Sequence, residues 1–251
     1  MLVTTKEMLL DAQKNHYAVG AFNVENLEFV MAVLAAAEET KSPVIMQTTP
    51  GTIKTAGLDY FYGMVAAAAA RTDVPVALHL DHGDGYDRCM QAFRTGYTSV
   101  MIDGSHESFE DNIALTASVA RAGAAMGVPV EAELGKVGGK EDDGPAVEGE
   151  NPYTDPEEAR EFVERTGCTS LAIGVGTAHG VYTETPHIEQ EVVKAIRAAV
   201  DVPLVLHGTS GVPDEQVAEA VKNGICKVNY ATELRQAYTK GYMAFMAENP
   251  G

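Results

Sequence analysis

VALHLDHGDGYDRCMQAFRTGYTSVMIDGSH, residues 76–106, holds one complete unit of the pattern that runs through this chain. An apolar run, Val76 to His79, leads into a glycine-bounded turn and then an amphipathic stretch, Tyr86 to Thr95. A second apolar run follows from Ser99 to Ile102. A short apolar or β-branched run followed by an amphipathic one marks a βα unit, whose strands lie parallel in one sheet. Both runs end in polar residues, Asp81 and His82 in the first and Asp103 in the second.

Outward from this unit the same alternation covers the chain. Further strands are expected at Tyr17 to Phe22, Val44 to Gln47, Val128 to Glu133, Ser170 to Ile173, Leu204 to His207 and Ile225 to Asn229. Helices are expected at Leu27 to Glu39, Leu58 to Arg71, Asp111 to Met126, Pro156 to Arg165, Ile188 to Val200, Asp214 to Lys222 and Ala231 to Ala247. Eight such pairs favour a closed (β/α)8 TIM barrel over an open doubly wound sheet, which has fewer strands. With 251 residues, 45% of them hydrophobic, the chain is expected to form one barrel domain over residues 1–251. The one long connection, Gly135 to Asp155, has the length of a functional loop.

Composition narrows the function classes. The net charge of −18, from 36 acidic and 18 basic residues, repels a nucleic-acid backbone, so no nucleic-acid partner is expected. No stretch has the apolar length to span a bilayer and the N-terminus lacks a signal-peptide layout, so no membrane role and a cytoplasmic location are expected. Cys89, Cys168 and Cys226 are odd in number and sit within helix-like or strand-like stretches, as small core residues in a reducing compartment do.

In a barrel of this kind the active site lies at the C-terminal ends of the strands. The polar residues there are Asp81, His82, Asp103, Glu131, Glu133, His179, His207, Asn229 and Thr232. Three histidines from three strand ends, His82, His179 and His207, suit a catalytic zinc with an open fourth position, and other divalent transition metals as well. Asp81, beside a proposed ligand, either faces the substrate or orients a histidine. Asp103 and Glu133 supply either a second metal position or charge compensation. Gly180 and the segment Gly208, Thr209, Ser210, Gly211 let backbone N–H groups approach an anion, and Asn229 to Thr232 opens the last helix where barrels bind phosphate.

Seven segments in order, YAVGAFNVENLE (17–28), HLDHG (79–83), SVMIDGSH (99–106), VEAELGKVGGKEDD (130–143), GTAHGVY (176–182), LVLHGTSG (204–211) and KVNYATEL (227–234), resemble the class II ketose-bisphosphate aldolases over essentially the whole chain. The resemblance implies a zinc-dependent aldolase that reversibly cleaves a ketose 1,6-bisphosphate, through a zinc-stabilised enediolate, into dihydroxyacetone phosphate and glyceraldehyde 3-phosphate. His82, His179 and His207 are then the zinc ligands, and Asp103 and Glu133 match a second metal position. Asp81 is the acid that protonates the aldehyde oxygen, and Glu141 the residue that exchanges a proton on the triose phosphate. Substrate-binding candidates are Asn23, Thr49, Gly180, Gly208, Thr209, Ser210, Asn229, Tyr230, Ala231 and Thr232, with a monovalent cation, Na+ or K+, on nearby backbone carbonyls. A homodimer or homotetramer is the family's expectation.

TTPGTIKTAG (48–57), GTAHGVY and GICKVNYATEL (224–234) lean toward the tagatose-bisphosphate type within that family. Family members continue past this chain's last residues with a segment that often supplies a basic residue for the distal phosphate, so either the sequence is a piece of a longer chain or that phosphate is held otherwise. Rival readings are an aldolase acting on another phosphorylated or sulfonated ketose, a metal-dependent hydrolase with Asp81 as general base, and a non-catalytic phosphosugar-binding subunit.

Overall fold

The computed structural model describes residues 1–135, 137–139, 153–182 and 184–250. In chain order the elements are α1 (Thr5–Asn15), β1 (Val19–Asn23), α2 (Leu27–Thr40), β2 (Val44–Thr48), α3 (Pro50–Ala56), α4 (Leu58–Ala69), β3 (Val76–Gly83), α5 (Tyr86–Thr95), β4 (Ser99–Ile102) and α6 (Phe109–Met126). They continue as β5 (Val130–Leu134), β6 (Gly138–Gly139), α7 (Pro156–Thr166), β7 (Ser170–Ile173), β8 (Ala178–His179), α8 (Gln190–Ala199), β9 (Leu204–Leu206), α9 (Asp214–Lys222), β10 (Ile225–Tyr230) and α10 (Thr232–Glu248). Eight of the strands close a parallel barrel in the order β1-β10-β9-β7-β5-β4-β3-β2. The expected (β/α)8 TIM barrel is what forms.

Local chemistry sets the element ends. Asn26, Ser108 and Asp155 accept hydrogen bonds from the first-turn amides of α2, α6 and α7, which have no partner within the helix. Gly96, Gly127 and Gly167 end α5, α6 and α7 in the left-handed conformation that favours glycine.

The strands are buried on both faces, and the faces differ in chemistry. Outward residues such as Val44, Leu78, Val100 and Val130 join one apolar cluster with the helices, while Leu134, Leu171, Leu204 and Val228 join another. Inward positions include Asn23, Gln47, His79, Asp81, Glu131, Glu133, His207, Lys227 and Asn229, all buried. The period-2 alternation of strands therefore separates an apolar outer layer from an interior whose polar residues gather toward the C-terminal ends of the strands.

Four features depart from the sequence reading. An amphipathic helix, α1, precedes the first strand; Met8, Leu9 and Ala12 pack on Val19, Ile45, Ala77 and Cys226, near the ends where those strands begin. Proline at its first turn and the Thr49 side chain at its N-cap start α3 ahead of α4. A two-stranded sheet pairs β6 with β8 outside the barrel. The third barrel strand runs through to Gly83, four residues past its expected end. Among the described residues no helix is long and apolar enough to cross a membrane.

Candidate active site

The β3–β4 ladder explains how Asp81 and His82 both reach the site. Leu80 pairs with Val100 and Gly83 with Ile102, so β3 carries one extra residue across that interval. Such a bulge breaks the alternation of faces and re-aims a side chain. His82 sits at φ 47°, a left-handed conformation that costs a non-glycine residue on the order of 1–3 kcal/mol. Gly83 is required beside it, since a Cβ there would lie 2.4 Å from the Met101 carbonyl oxygen.

His179 and His207 arrive on paired loops. Pairing of β6 with β8 fixes Ala178 and His179. Tyr182 ties this loop to the next: its hydroxyl donates to the Gly208 carbonyl at 2.7 Å and accepts from the Ala178 amide at 2.6 Å. The backbones approach so closely that a Cβ on Gly208, at φ 63°, would lie 2.6 Å from the Ala178 carbonyl oxygen.

The three rings converge, with centroids 4.8 Å apart for His82 and His207, 5.0 Å for His82 and His179, and 5.8 Å for His179 and His207. One nitrogen from each lies within 4.8 Å of the others. Outer partners orient two of them. Asp103 contacts His82 Nδ1 at 2.7 Å while its other oxygen accepts from the Ser105 amide and hydroxyl. Glu131 contacts His207 Nε2 at 3.2 Å, and Glu133 lies 3.3 Å from His207 Nδ1. With each outer nitrogen donating to its carboxylate, the neutral rings turn the lone pairs of His82 Nε2 and His207 Nδ1 toward each other at 3.1 Å. Two facing lone pairs repel unless a cation lies between them. The donor set therefore fits a divalent transition metal held by His82, His179 and His207, and carboxylate–histidine pairs are the usual support of such ligands.

The titration behaviour agrees. Burial works against a proton on His207, yet Glu131 and Glu133 push its pKa up to about 9. Burial likewise opposes charge on His82, but Asp81, Asp103 and Glu133 raise it well above the usual histidine value. Burial, reinforced by His82 and His207, holds His179 well below that value, so it presents a neutral ring. Despite its burial, Asp103 is held well below the carboxylate range by His82 and Ser105.

Asp81 is buried and does not bond His82; Asp103 takes the orienting role. Its oxygens instead accept from Gln47 Nε2 at 3.0 Å and Asn229 Nδ2 at 3.2 Å, and Gln47 also donates to Asn23 Oδ1 at 2.7 Å. Asn23 Nδ2 and Asn229 Oδ1 are buried without a protein partner. Both belong to side chains lining a small cavity with Asp81, Ala178, His179 and the predicted Gly180, Gly208, Thr209, Ser210, Ala231 and Thr232. Gly180, Ser210 and Thr232 also line an adjoining cleft of about 490 Å³. A buried donor and a buried acceptor, both unpartnered and on side chains that line a cavity beside a carboxylate, suit a hydroxyl-rich ligand.

The remaining predicted residues lie elsewhere. Thr49 is buried at the start of α3, where its hydroxyl meets that of Thr52 at 3.1 Å. Tyr230 is half-buried and stacks on Phe22 with ring centroids 5.9 Å apart. Glu133 and Asp103 do converge with His82, with ligand atoms within 4.8 Å of one another. Glu141 lies outside the described residues. Sequence reasoning passed over Gln47, which closes an apolar run as the other site residues do, Lys227, which sits inside one, and Tyr182, which holds the two loops together.

Comparison with known proteins follows the same line. The family model for class II fructose-bisphosphate aldolase matches residues 3–250. The YdjI aldolase from Escherichia coli K12 is 43% identical, with a TM-score of 0.88 over 100% of this chain and 88% of that one. A putative fructose-1,6-biphosphate aldolase from Coccidioides immitis is 34% identical, with a TM-score of 0.87 over 93% of this chain and 83% of that one. Fructose-bisphosphate aldolase from Campylobacter jejuni is 26% identical, with a TM-score of 0.81 over 99% and 82%. The chain belongs to the class II fructose-bisphosphate aldolases, a family of metal-dependent carbon–carbon lyases.

Proposed function

We propose that this aldolase reversibly cleaves a ketose 1,6-bisphosphate, of the tagatose or fructose type, into dihydroxyacetone phosphate and glyceraldehyde 3-phosphate, using zinc held by His82, His179 and His207. The observation that carries the reading is the facing pair His82 Nε2 and His207 Nδ1 at 3.1 Å, with Asp81 buried on the neighbouring cavity. Zinc in that site supplies a Lewis acid that draws charge from the ketone. Asp81 takes the proton of the C4 hydroxyl as the C3–C4 bond breaks and returns it to the aldehyde oxygen in synthesis. Gln47 and Asn229 fix the carboxylate for that transfer. Asn23 and Asn229 offer a donor and an acceptor to the substrate hydroxyls, and the loops at Gly208–Ser210 and Ala231–Thr232 offer backbone to the proximal phosphate. Glu141 is assigned the proton exchange on the triose phosphate.

A second reading, an aldolase for a ketose with a different distal group, is favoured by one observation. Neither the cavity nor the adjoining cleft has a lysine or arginine among its described lining residues to meet a second phosphate. One assay addresses both. Zinc-loaded and chelator-treated protein are incubated with tagatose 1,6-bisphosphate, fructose 1,6-bisphosphate and singly phosphorylated or sulfonated ketoses, and triose phosphate release is followed. Cleavage abolished by chelation and restored by zinc is expected, and the preferred substrate decides between the readings. Chelator-insensitive cleavage excludes the metal mechanism, and cleavage of nothing favours a binding subunit.

A further inference from the structure

Beneath the three histidines the barrel interior holds a charged side chain that the reaction does not use. Lys227, on β10, is fully buried, and its ammonium lies 2.9 Å from each oxygen of Glu131 and 3.4 Å from His79 Nε2. An ammonium only donates, so both Glu131 oxygens act as acceptors, and the Ser170 hydroxyl donates to one of them at 3.5 Å. The proton between Glu131 Oε1 and His207 Nε2, 3.2 Å apart, therefore sits on the histidine. His207 Nδ1, which faces His82 Nε2 at 3.1 Å with Glu133 3.3 Å away, is then the nitrogen left to ligate an ion once its own proton is released. By the same rule His79 Nε2 accepts from Lys227, its Nδ1 donates to Ser99 Oγ at 2.8 Å, and Thr5 Oγ1 donates to the same oxygen at 2.9 Å. A buried polar chain thus runs from α1 up the barrel to a metal ligand. His79, Asp81 and Glu131 are themselves spaced to hold a cation, and the Lys227 ammonium supplies that charge to two of the three.

We infer that Lys227 is a positioning residue for the metal centre, acting through Glu131 to fix the ring of His207 with Nδ1 toward the ion. This rests on the reading that His82, His179 and His207 hold the metal. The carboxylate's two oxygens need a double donor from below to keep one of them aimed at His207, and no other described residue gives both a bond.

The test is zinc affinity of the metal-free protein, measured by competition with a chromophoric chelator, for the parent, Lys227→Met and Lys227→Gln. Folding is checked by circular dichroism and Tm. Outer-sphere partners of metal ligands are worth about 10- to 100-fold in affinity. Lys227→Met is therefore expected to bind zinc about 10- to 100-fold more weakly while folded, and Lys227→Gln, which keeps one donor without the charge, to fall between it and the parent. If the methionine variant does not fold, Lys227→Gln carries the comparison. A folded variant that loses Tm yet binds zinc within twofold of the parent overturns the inference and leaves Lys227 a purely structural residue. A parent that binds no zinc overturns the metal assignment instead, so the two failures are told apart.

Discussion

His207 Nδ1 and His82 Nε2 face each other at 3.1 Å, each ring held from behind by a carboxylate, Glu131 and Asp103 respectively. Burial opposes a proton on either ring, but Glu131 and Glu133 around His207, and Asp81, Asp103 and Glu133 around His82, outweigh it and raise both pKa values, so without an ion the rings hold protons. Metal and protons therefore compete for one space.

The first consequence is a pH dependence of metal binding. His207, with a pKa of about 9, carries a proton at neutral pH that a metal must displace. Affinity for zinc is expected to fall by about tenfold for each unit of pH below that value while one proton is displaced, and more steeply where His82 also releases one. Chelator competition between pH 6 and 9, or proton release on adding zinc to weakly buffered protein, measures it; an affinity flat across that range removes the competition.

The metal-free protein has its own pH signature. A group whose pKa is raised on folding stabilises the fold below its unfolded value and loses that contribution as pH rises through the folded one. For His207 the window runs from the ordinary 6.5 to about 9. In the presence of chelator the protein is expected to be less stable at pH 9.5 than at pH 7, on the order of 2 kcal/mol. Urea denaturation at the two pH values gives the sign. Zinc loading should abolish the difference.

Asp81→Asn separates chemistry from metal binding. The carboxylate is bonded to Gln47 and Asn229 rather than to His82, so the metal site should survive its loss. Removing a positioned acid–base group costs about 10²- to 10⁴-fold in kcat. Zinc content is expected to match the parent, and a variant that retains most of its turnover would exclude Asp81 from proton transfer.

Tyr182→Phe removes the hydroxyl that joins Ala178 to Gly208. Leaving a half-buried amide and carbonyl without that partner costs at most about 1–3 kcal/mol, spent on the loops that carry His179 and the proposed phosphate-binding backbone. A loss of roughly 5- to 100-fold in kcat/KM is expected, expressed more in KM for the phosphorylated substrate than in kcat. Steady-state kinetics with saturating zinc resolves the two.

The barrel and the three histidines were readable because they depend on pattern. Strand-length apolar runs repeat, and polar residues sit where each run stops. What escaped reading depends on contacts between distant segments. Nothing local marks Tyr182 as the link between its own loop and Gly208. Lys227 looks like an interruption of an apolar run, and Gln47 like an ordinary polar strand end, until closure of the barrel turns them toward Glu131 and Asp81. Asp81 read equally as facing the substrate or as orienting a histidine, and the bulge in β3 decides it by lifting His82 onto Asp103, whose orienting role the sequence did not suggest. α1 was passed over because a helix before the first strand breaks the strand-then-helix rhythm.

That bulge also bears on how the protein can change over time. Loops around a barrel absorb gained or lost residues with little consequence, because nothing downstream is counted from them. The stretch from Leu80 to Gly83 is counted, since one residue there has no opposite number on β4. Deleting a residue would restore an unbroken ladder, and so give a more regular sheet, while turning Asp81 or His82 away from the site. Lineages that keep the reaction can exchange the apolar residues of this strand for one another but cannot change its length.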